Sequence, residues 1–294
     1  MNVKTRSVAI CLMIVLLLSV VAPAFAFYDS VADKPLCVLG GEVEIHFKVI
    51  SDNPIYNSAD AIRTSLYWEP WETNMLYEKY SEYSDATQDQ AEITSINEQG
   101  TEYTVLFHKP GRYQIGDARV YILDPENEAL AAVGTELCEA IEQCQGKNQK
   151  ETASLLRKWI VKKIKYGKDS SDYPERAQYD DPIGVLITGK ALCTGYSALY
   201  QLMAEMCGIR ATTLTVEVKR NREGHVLNLN RLDGEWSFTD VTWEDGGSSC
   251  KNTYFAMDEK KMNKYFTIPD YVEIYHAWFS SPEQIQKLNN LLDF

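Results

Sequence analysis

The sequence predicts an α+β chain in which an all-β region precedes a region of helices packed on an antiparallel sheet. Three observations carry this. From Phe27 to about Asp124 the apolar residues recur with period two. After Asp124-Pro125-Glu126-Asn127 the period lengthens to that of amphipathic helices. Beyond Gly208 the alternation returns, and Asp233-Gly234 interrupts it as a two-residue hairpin signal.

Taken in order, residues 1–26 read as a secretion signal. Lys4 and Arg6 form a positive start, Val8 to Val21 is apolar, and Ala24-Phe25-Ala26 is a small-x-small cleavage site. The apolar run falls short of the roughly 20 residues that a membrane helix needs, so cleavage after Ala26 is expected rather than an anchor. Cys11 lies inside the run, away from the cleavage site, where a lipid-modified cysteine is not expected. The mature chain is expected to be secreted, periplasmic or at the cell surface, with no membrane span.

Residues 27–126 form the expected all-β domain. Val43, Ile45, Phe47 and Val49 alternate with Glu44, His46 and Lys48, a half-buried strand with His46 on its wet face. Tyr103 to Phe107, the turn Lys109-Pro110-Gly111, then Tyr113, Ile115 and a strand from Ala118 to Leu123 complete a small antiparallel sandwich similar to an immunoglobulin-like domain. Tyr67-Trp68-Glu69-Pro70-Trp71 is read as core plus loop rather than as a sugar-stacking platform.

Residues 127–294 form the second domain. Leu137, Ile141 and Cys144 mark one amphipathic helix; Leu156, Trp159, Ile160 and Ile164 mark another. The loop from Gly167 to Pro182 carries Asp169, Asp172, Asp180 and Asp181 without EF-hand spacing, so it is read as solvated rather than metal-binding. A helix from Cys193 shows an apolar face of Leu199, Leu202, Met203 and Met206 and a natural cap at Gly208. Further on, Asp258 is expected to cap a helix running to Tyr265, and Ser281-Pro282-Glu283-Gln284 to open a last helix to Leu292. His276, His46 and His108 have no framing motif and are read as packed or surface residues.

Composition bounds the function. At 294 residues, 45% hydrophobic and 24% charged, with 16 Gly and 10 Pro, the chain is no disordered, collagenous or small disulfide-scaffold protein. A formal charge of −13 excludes a phosphate-tracking nucleic-acid binder. The cysteine spacings fit no zinc ribbon or CxxC motif, so neither a metal nor a cofactor is expected. Cys138 and Cys144 are six apart on one helix, too far to bridge. How Cys37, Cys138, Cys144, Cys207 and Cys250 pair stays open in the sequence.

The chemistry concentrates between Gly189 and Asp245. Cys193 falls at a helix start, where unpaired amides and the helix dipole stabilise a thiolate. Cys207, at the other end of the same helix, is read as packing or pairing. After a strand through Leu214, Val216 and Val218, a second strand starts at His225, turns at Asp233-Gly234 and returns through Glu235 to Trp243. Pairing Leu232 with Glu235 sets Leu227 opposite Asp240, which makes His225 and Asp240 diagonal neighbours within side-chain reach. Leu227, Leu229, Trp236 and Phe238 share their face, expected to be the one that the cysteine helix covers. Thiol, imidazole and carboxylate in this order are the parts of nucleophilic catalysis.

The segments Lys190-Ala-Leu-Cys193-Thr-Gly-Tyr-Ser-Ala-Leu-Tyr, Met203-Ala-Glu-Met-Cys-Gly208-Ile209, His225-Val-Leu-Asn228 and Gly234-Glu-Trp236-Ser-Phe-Thr-Asp240-Val-Thr-Trp243 resemble the transglutaminase-like superfamily in its short bacterial form. The resemblance spans about Glu151 to Phe266. It implies a papain-like core with Cys193 as nucleophile, His225 as general base and acid, and Asp240 as its orienter. It also implies attack on a carboxamide or peptide carbonyl to give a thioester, which water or an amine then accepts, with hydrolysis slightly favoured. The Cys193 amide is the natural first oxyanion donor; Tyr166 and Gln178 are unranked for the second. Many relatives carry an aromatic two residues after the histidine where this chain has Leu227, which bears on the acyl pocket. The partner is a protein or peptide substrate, with a cell-envelope ligand conceivable for the first domain. The competing reading is a binding or scaffolding protein of the same fold with weak or absent chemistry.

Overall fold

The computed structural model describes residues 30–32, 37–49, 59–71, 84–98, 100–115, 118–167, 180–245 and 252–268. The secretion signal, Asp169, Asp172, Gln178, Cys250, His276 and the helix expected at 281–292 lie outside the described residues. No helix among the described residues is long and apolar enough to cross a membrane.

The first region is built from β1 (Ser30–Ala32), β2 (Cys37–Leu39), β3 (Val43–Val49), a short helix α1 (Ala59–Arg63), β4 (Leu66–Glu69), β5 (Ser84–Asp85), β6 (Ala91–Ile96), β7 (Glu102–Phe107), β8 (Gly111–Ile115) and β9 (Ala118–Leu123). They form two sheets, of order β1-β3-β7-β6 and β2-β9-β8-β4-β5. The period-two pattern explains why both sheets share one core. Ile45, Phe47, Tyr103, Val105 and Phe107 from one sheet meet Tyr113, Ile115, Val120 and Ile122 from the other. His46 sits half-buried on the opposite face, with its Nδ1 3.2 Å from the Thr104 hydroxyl.

The aromatic segment at Trp68 and Trp71 is used for packing. Trp68 Nε1 donates to the Pro110 carbonyl at 3.3 Å, and Trp71 Nε1 to the Ile122 carbonyl at 2.5 Å. Gly111 has a positive φ of 157°, and a Cβ there would stand 2.3 Å from Trp68 Nε1. Only glycine lets that indole cross the strand.

Strand gives way to helix at Asn127, whose side chain accepts the Ala129 and Leu130 amides and opens α2 (Glu128–Gln143). Asn148 caps α3 (Gln149–Lys163) in the same manner. Next come β10 (Lys165–Tyr166), α4 (Pro182–Thr188), β11 (Lys190–Ala191), α5 (Cys193–Met206), β12 (Ala211–Val218), β13 (Gly224–Leu232), β14 (Glu235–Thr239), α6 (Val241–Glu244), α7 (Glu259–Met262) and β15 (Phe266–Thr267). The architecture is α+β, with α5 lying against the sheet of order β14-β13-β12-β15. The core of this region also takes in Cys37, Tyr121 and Leu123 from the first, so packing runs across the junction.

The hairpin follows the sequence register. Leu232 pairs with Glu235 and the ladder runs to Asn228 opposite Thr239. Asp233 and Gly234 have φ of 53° and 89°, the left-handed pair a type I′ turn needs. Three expectations change. The return strand stops at Thr239 instead of reaching Trp243, because Asp240 turns its carboxylate onto the Trp243 amide at 3.0 Å and caps α6. The helix after Asp258 ends at Met262, and the chain continues as β15. The largest change is the face that α5 covers. Leu227, Leu229 and Phe238 pack with Leu214, Val216, Met257, Met262 and Phe266, away from the helix. α5 lies on the other face instead. Ser197 Oγ donates to the Val226 carbonyl at 3.0 Å, Asn228 Nδ2 to the Ser197 carbonyl at 2.9 Å, and Tyr200 OH to Asn230 at 3.3 Å. The sheet is buried on both sides, and the apolar side belongs to the segment after β14.

Candidate active site

Cys193 owes its position to the chain before it. α4 ends on Gly189 with φ of 68°, and Lys190–Ala191 then pairs in parallel with Lys165–Tyr166. Leu192 is extended and begins α5 without a side-chain cap, because leucine has no acceptor to offer. The first-turn amides therefore keep no side-chain acceptor, the condition under which a helix start serves negative charge. Cys193 is half-buried there. Its neighbour Thr194 donates its hydroxyl to Asp180, and Asp181 caps α4 through the Ile183 and Gly184 amides. Two acids of the loop read from sequence as solvated thus serve structure.

His225 and Asp240 meet as the register anticipated. His225 Nε2 lies 2.9 Å from Asp240 Oδ2, although the ladder itself stops one pair short of Asp240. Asp240 is fully buried, and its other oxygen accepts the Trp243 amide. Its backbone amide donates to the Tyr254 carbonyl at 2.8 Å. With Nε2 committed to the carboxylate, Nδ1 is the nitrogen left for Cys193. Burial works against charge on His225, but hydrogen bonds with Asp240 and Cys193 and their negative charge outweigh it and raise the imidazole to about 9.

Aromatic rings enclose the imidazole. Phe266 stacks on it at 5.7 Å and 8°, and Trp243 lies 5.3 Å away. Their π faces favour an imidazolium. These rings carry no sequence signal of their role: Trp243 reads as the end of a strand, and Phe266 only marks where the family resemblance ends. Leu227, by contrast, is fully buried in the sheet core, so the missing aromatic does not shape the cleft.

Cys193 and His225 open onto a cleft of about 560 Å³, also lined by Tyr166, Asn221, Glu223 and Tyr254. This is the volume range of a substrate site. Tyr166 stands more than half exposed at its edge and stacks on Tyr196 at 6.3 Å. Tyr196 OH donates toward Asp245 Oδ2 at 2.5 Å, which fixes a second carboxylate in the wall. The arrangement can present a sulfur to an electrophile with an oriented proton carrier beside it.

Residues 136–241 match the family described as the transglutaminase-like superfamily, a span that includes Cys193, His225 and Asp240. None of the curated proteins matches the chain. Among solved structures it is similar to a TGase, with a TM-score of 0.36 and 14% identity over 60% of this chain and 49% of that one. It is also similar to a candidate cysteine protease from Cytophaga hutchinsonii, with a TM-score of 0.30 and 12% identity over 52% of this chain and 61% of that one. Red sea bream transglutaminase matches with a TM-score of 0.26 and 9% identity over 71% of this chain and 49% of that one. The chain spans about half to three fifths of the length of these proteins. The match to the transglutaminase-like superfamily is confined to residues 136–241, less than half of this chain.

Proposed function

We propose that the chain is an exported cysteine enzyme acting on protein or peptide amide bonds through a thioester on Cys193. The observation that carries this reading is the buried His225–Asp240 hydrogen bond beside a thiol at an uncapped helix start. Asp240 holds the imidazole by Nε2, and an imidazolium next to the sulfur favours the thiolate. Cys193 Sγ attacks the substrate carbonyl, and the oxyanion is received by the Cys193 backbone amide. The tetrahedral adduct collapses as His225 delivers its proton to the departing nitrogen, leaving the thioester. His225, now neutral, takes a proton from the incoming water or amine, and the acyl group leaves the sulfur. Of the two acceptors, water is the one we favour, and Tyr166 stands exposed at the edge of the cleft.

Support for the first region as an immunoglobulin-like module comes from its strand order and from Tyr113. This tyrosine on β8 bonds back to the Lys109 carbonyl at 2.7 Å, the tyrosine corner of such sandwiches. Such a module fits a cell-envelope ligand. Export is part of this proposal and rests on the targeting pattern of residues 1–26, with Phe27 as the first mature residue.

Iodoacetamide labelling of the unreduced protein from pH 4 to 9, with site assignment by mass spectrometry, tests the enzyme reading. Rapid labelling of Cys193 that persists at low pH and slows at least tenfold in His225→Ala is expected. Labelling no faster than that of an ordinary cysteine sinks the reading and leaves a binding protein of the same fold.

A further inference from the structure

Four cysteines outside the cleft fall into two neighbouring pairs. Cys37 opens β2 and is buried, and Cys138 lies exposed on α2. Leu39, on the same side of β2 as Cys37, packs 3.2 Å from where a Gly134 Cβ would stand. α2 packs on β2, and two residues along a strand and four along a helix both advance about 6 Å, so the step from Leu39 to Cys37 matches in length the step from Gly134 to Cys138. Cys37 feels the charge of Cys138: burial first and Cys138 second push Cys37 up to about 12.

Cys144 and Cys207 cap the C-terminal ends of α2 and α5, and both pack on one core. The residues that follow hold these ends together. Gln145 Nε2 donates to Cys207 Sγ at 3.8 Å, and Gln149 Nε2 to the Gly208 carbonyl at 3.2 Å. Burial, then the charge of Cys144, push Cys207 up to about 11. Cys193 stands at the far end of the 14-residue α5, about 20 Å from Cys207.

We propose that Cys37 with Cys138 and Cys144 with Cys207 are two disulfide sites, closed by an external disulfide, and that the fold keeps Cys193 out of both. The exposed Cys138 attacks the external disulfide, releases one thiol and forms a mixed disulfide; Cys37 then displaces the second thiol and closes the bond. Cys207, half-exposed, opens the second exchange and Cys144 completes it. Each bond thus oxidises two protein thiols and reduces one external disulfide to two thiols. The first bond ties the two-sheet region to α2, and the second ties α2 to the helix that carries Cys193. They close loops of roughly 100 and 60 residues, a range in which cross-links stabilise most.

The full chain, reduced and then incubated with a mixture of oxidised and reduced glutathione, is quenched with N-ethylmaleimide and mapped without reduction by mass spectrometry. Linked peptides Cys37–Cys138 and Cys144–Cys207 are expected, with Cys193 carrying maleimide or glutathione but no protein partner. Oxidation should raise Tm by several degrees. Cys138→Ser and Cys207→Ser should each delete one linked peptide and part of that rise, leaving the Tm of the reduced protein unchanged. Absence of either linked peptide, or a link through Cys193 or Cys250, overturns the assignment. Because the mapping scores bonds and not turnover, its failure is distinct from failure of the enzyme reading.

Discussion

At the scale of single residues, the charge on His225 couples the site to stability. Its pKa rises from 6.5 to about 9 in the fold, against burial, through Asp240 and Cys193. A raised folded-state pKa contributes stability that is full below pH 6.5 and lost as pH rises through 9. The unfolding free energy should therefore fall between those pH values by up to about 1.4 kcal/mol per unit. Asp240→Asn keeps an oxygen for the Trp243 amide but removes the charge. Urea midpoints at pH 6, 7.5 and 9 should show a much shallower slope in that variant than in the wild type. Parallel curves would refute the coupling.

Among the elements, the β13–β14 hairpin does more than set register. Its tip residue Asp233 accepts the Gln149 amide at 3.0 Å and the Lys150 amide at 3.4 Å, at the start of α3. In return the Asp233 amide donates to Gln149 Oε1 at 2.9 Å. A carboxylate at a helix start satisfies amides that the helix cannot. The residue also holds a left-handed φ of 53°, which aspartate tolerates better than alanine. Asp233→Ala should thus cost about 2 kcal/mol by adding strain to a lost cap, whereas Asp233→Asn should cost less than half of that. Equal urea midpoints for the two variants would show that the clamp contributes nothing.

Over the whole molecule, one buried ion pair joins the helical layer to the segment that carries the site. Arg157 of α3 is 3% exposed, and its guanidinium reaches Glu244 at 2.6 Å and Asn252 at 2.7 Å while lying 4.6 Å over Phe255. Glu244 ends α6, the helix that Asp240 caps, and its other oxygen accepts the Tyr254 amide at 2.7 Å. Tyr254 in turn accepts the Asp240 amide. Replacing one partner strands the other charge, so Arg157→Met should lose about 3–5 kcal/mol. Because α6 anchors Asp240, Cys193 labelling should slow in the same variant under conditions where it remains folded. A variant as stable as wild type would show that Glu244 finds water or another partner.

How much of this was legible beforehand depends on the range of the interaction. Local chemistry determined the helix start at Cys193, the cap at Gly208 and the Asp233-Gly234 turn, because each rests on backbone preferences of a few adjacent residues. The hairpin register followed from that turn and brought His225 and Asp240 together, since strand pairing is arithmetic once the loop length is set. Periodicity reports which side chains are buried and says nothing of what covers them. Only the tertiary structure decided that Met257, Met262 and Phe266 take the apolar face of the sheet and that α5 takes the face of Asn228 and Asn230. It alone placed Trp243 and Phe266 around the imidazole, Arg157 against Glu244, and the four outlying cysteines in neighbouring pairs. Those contacts join residues tens of positions apart, and their partners are selected by the packing of whole elements.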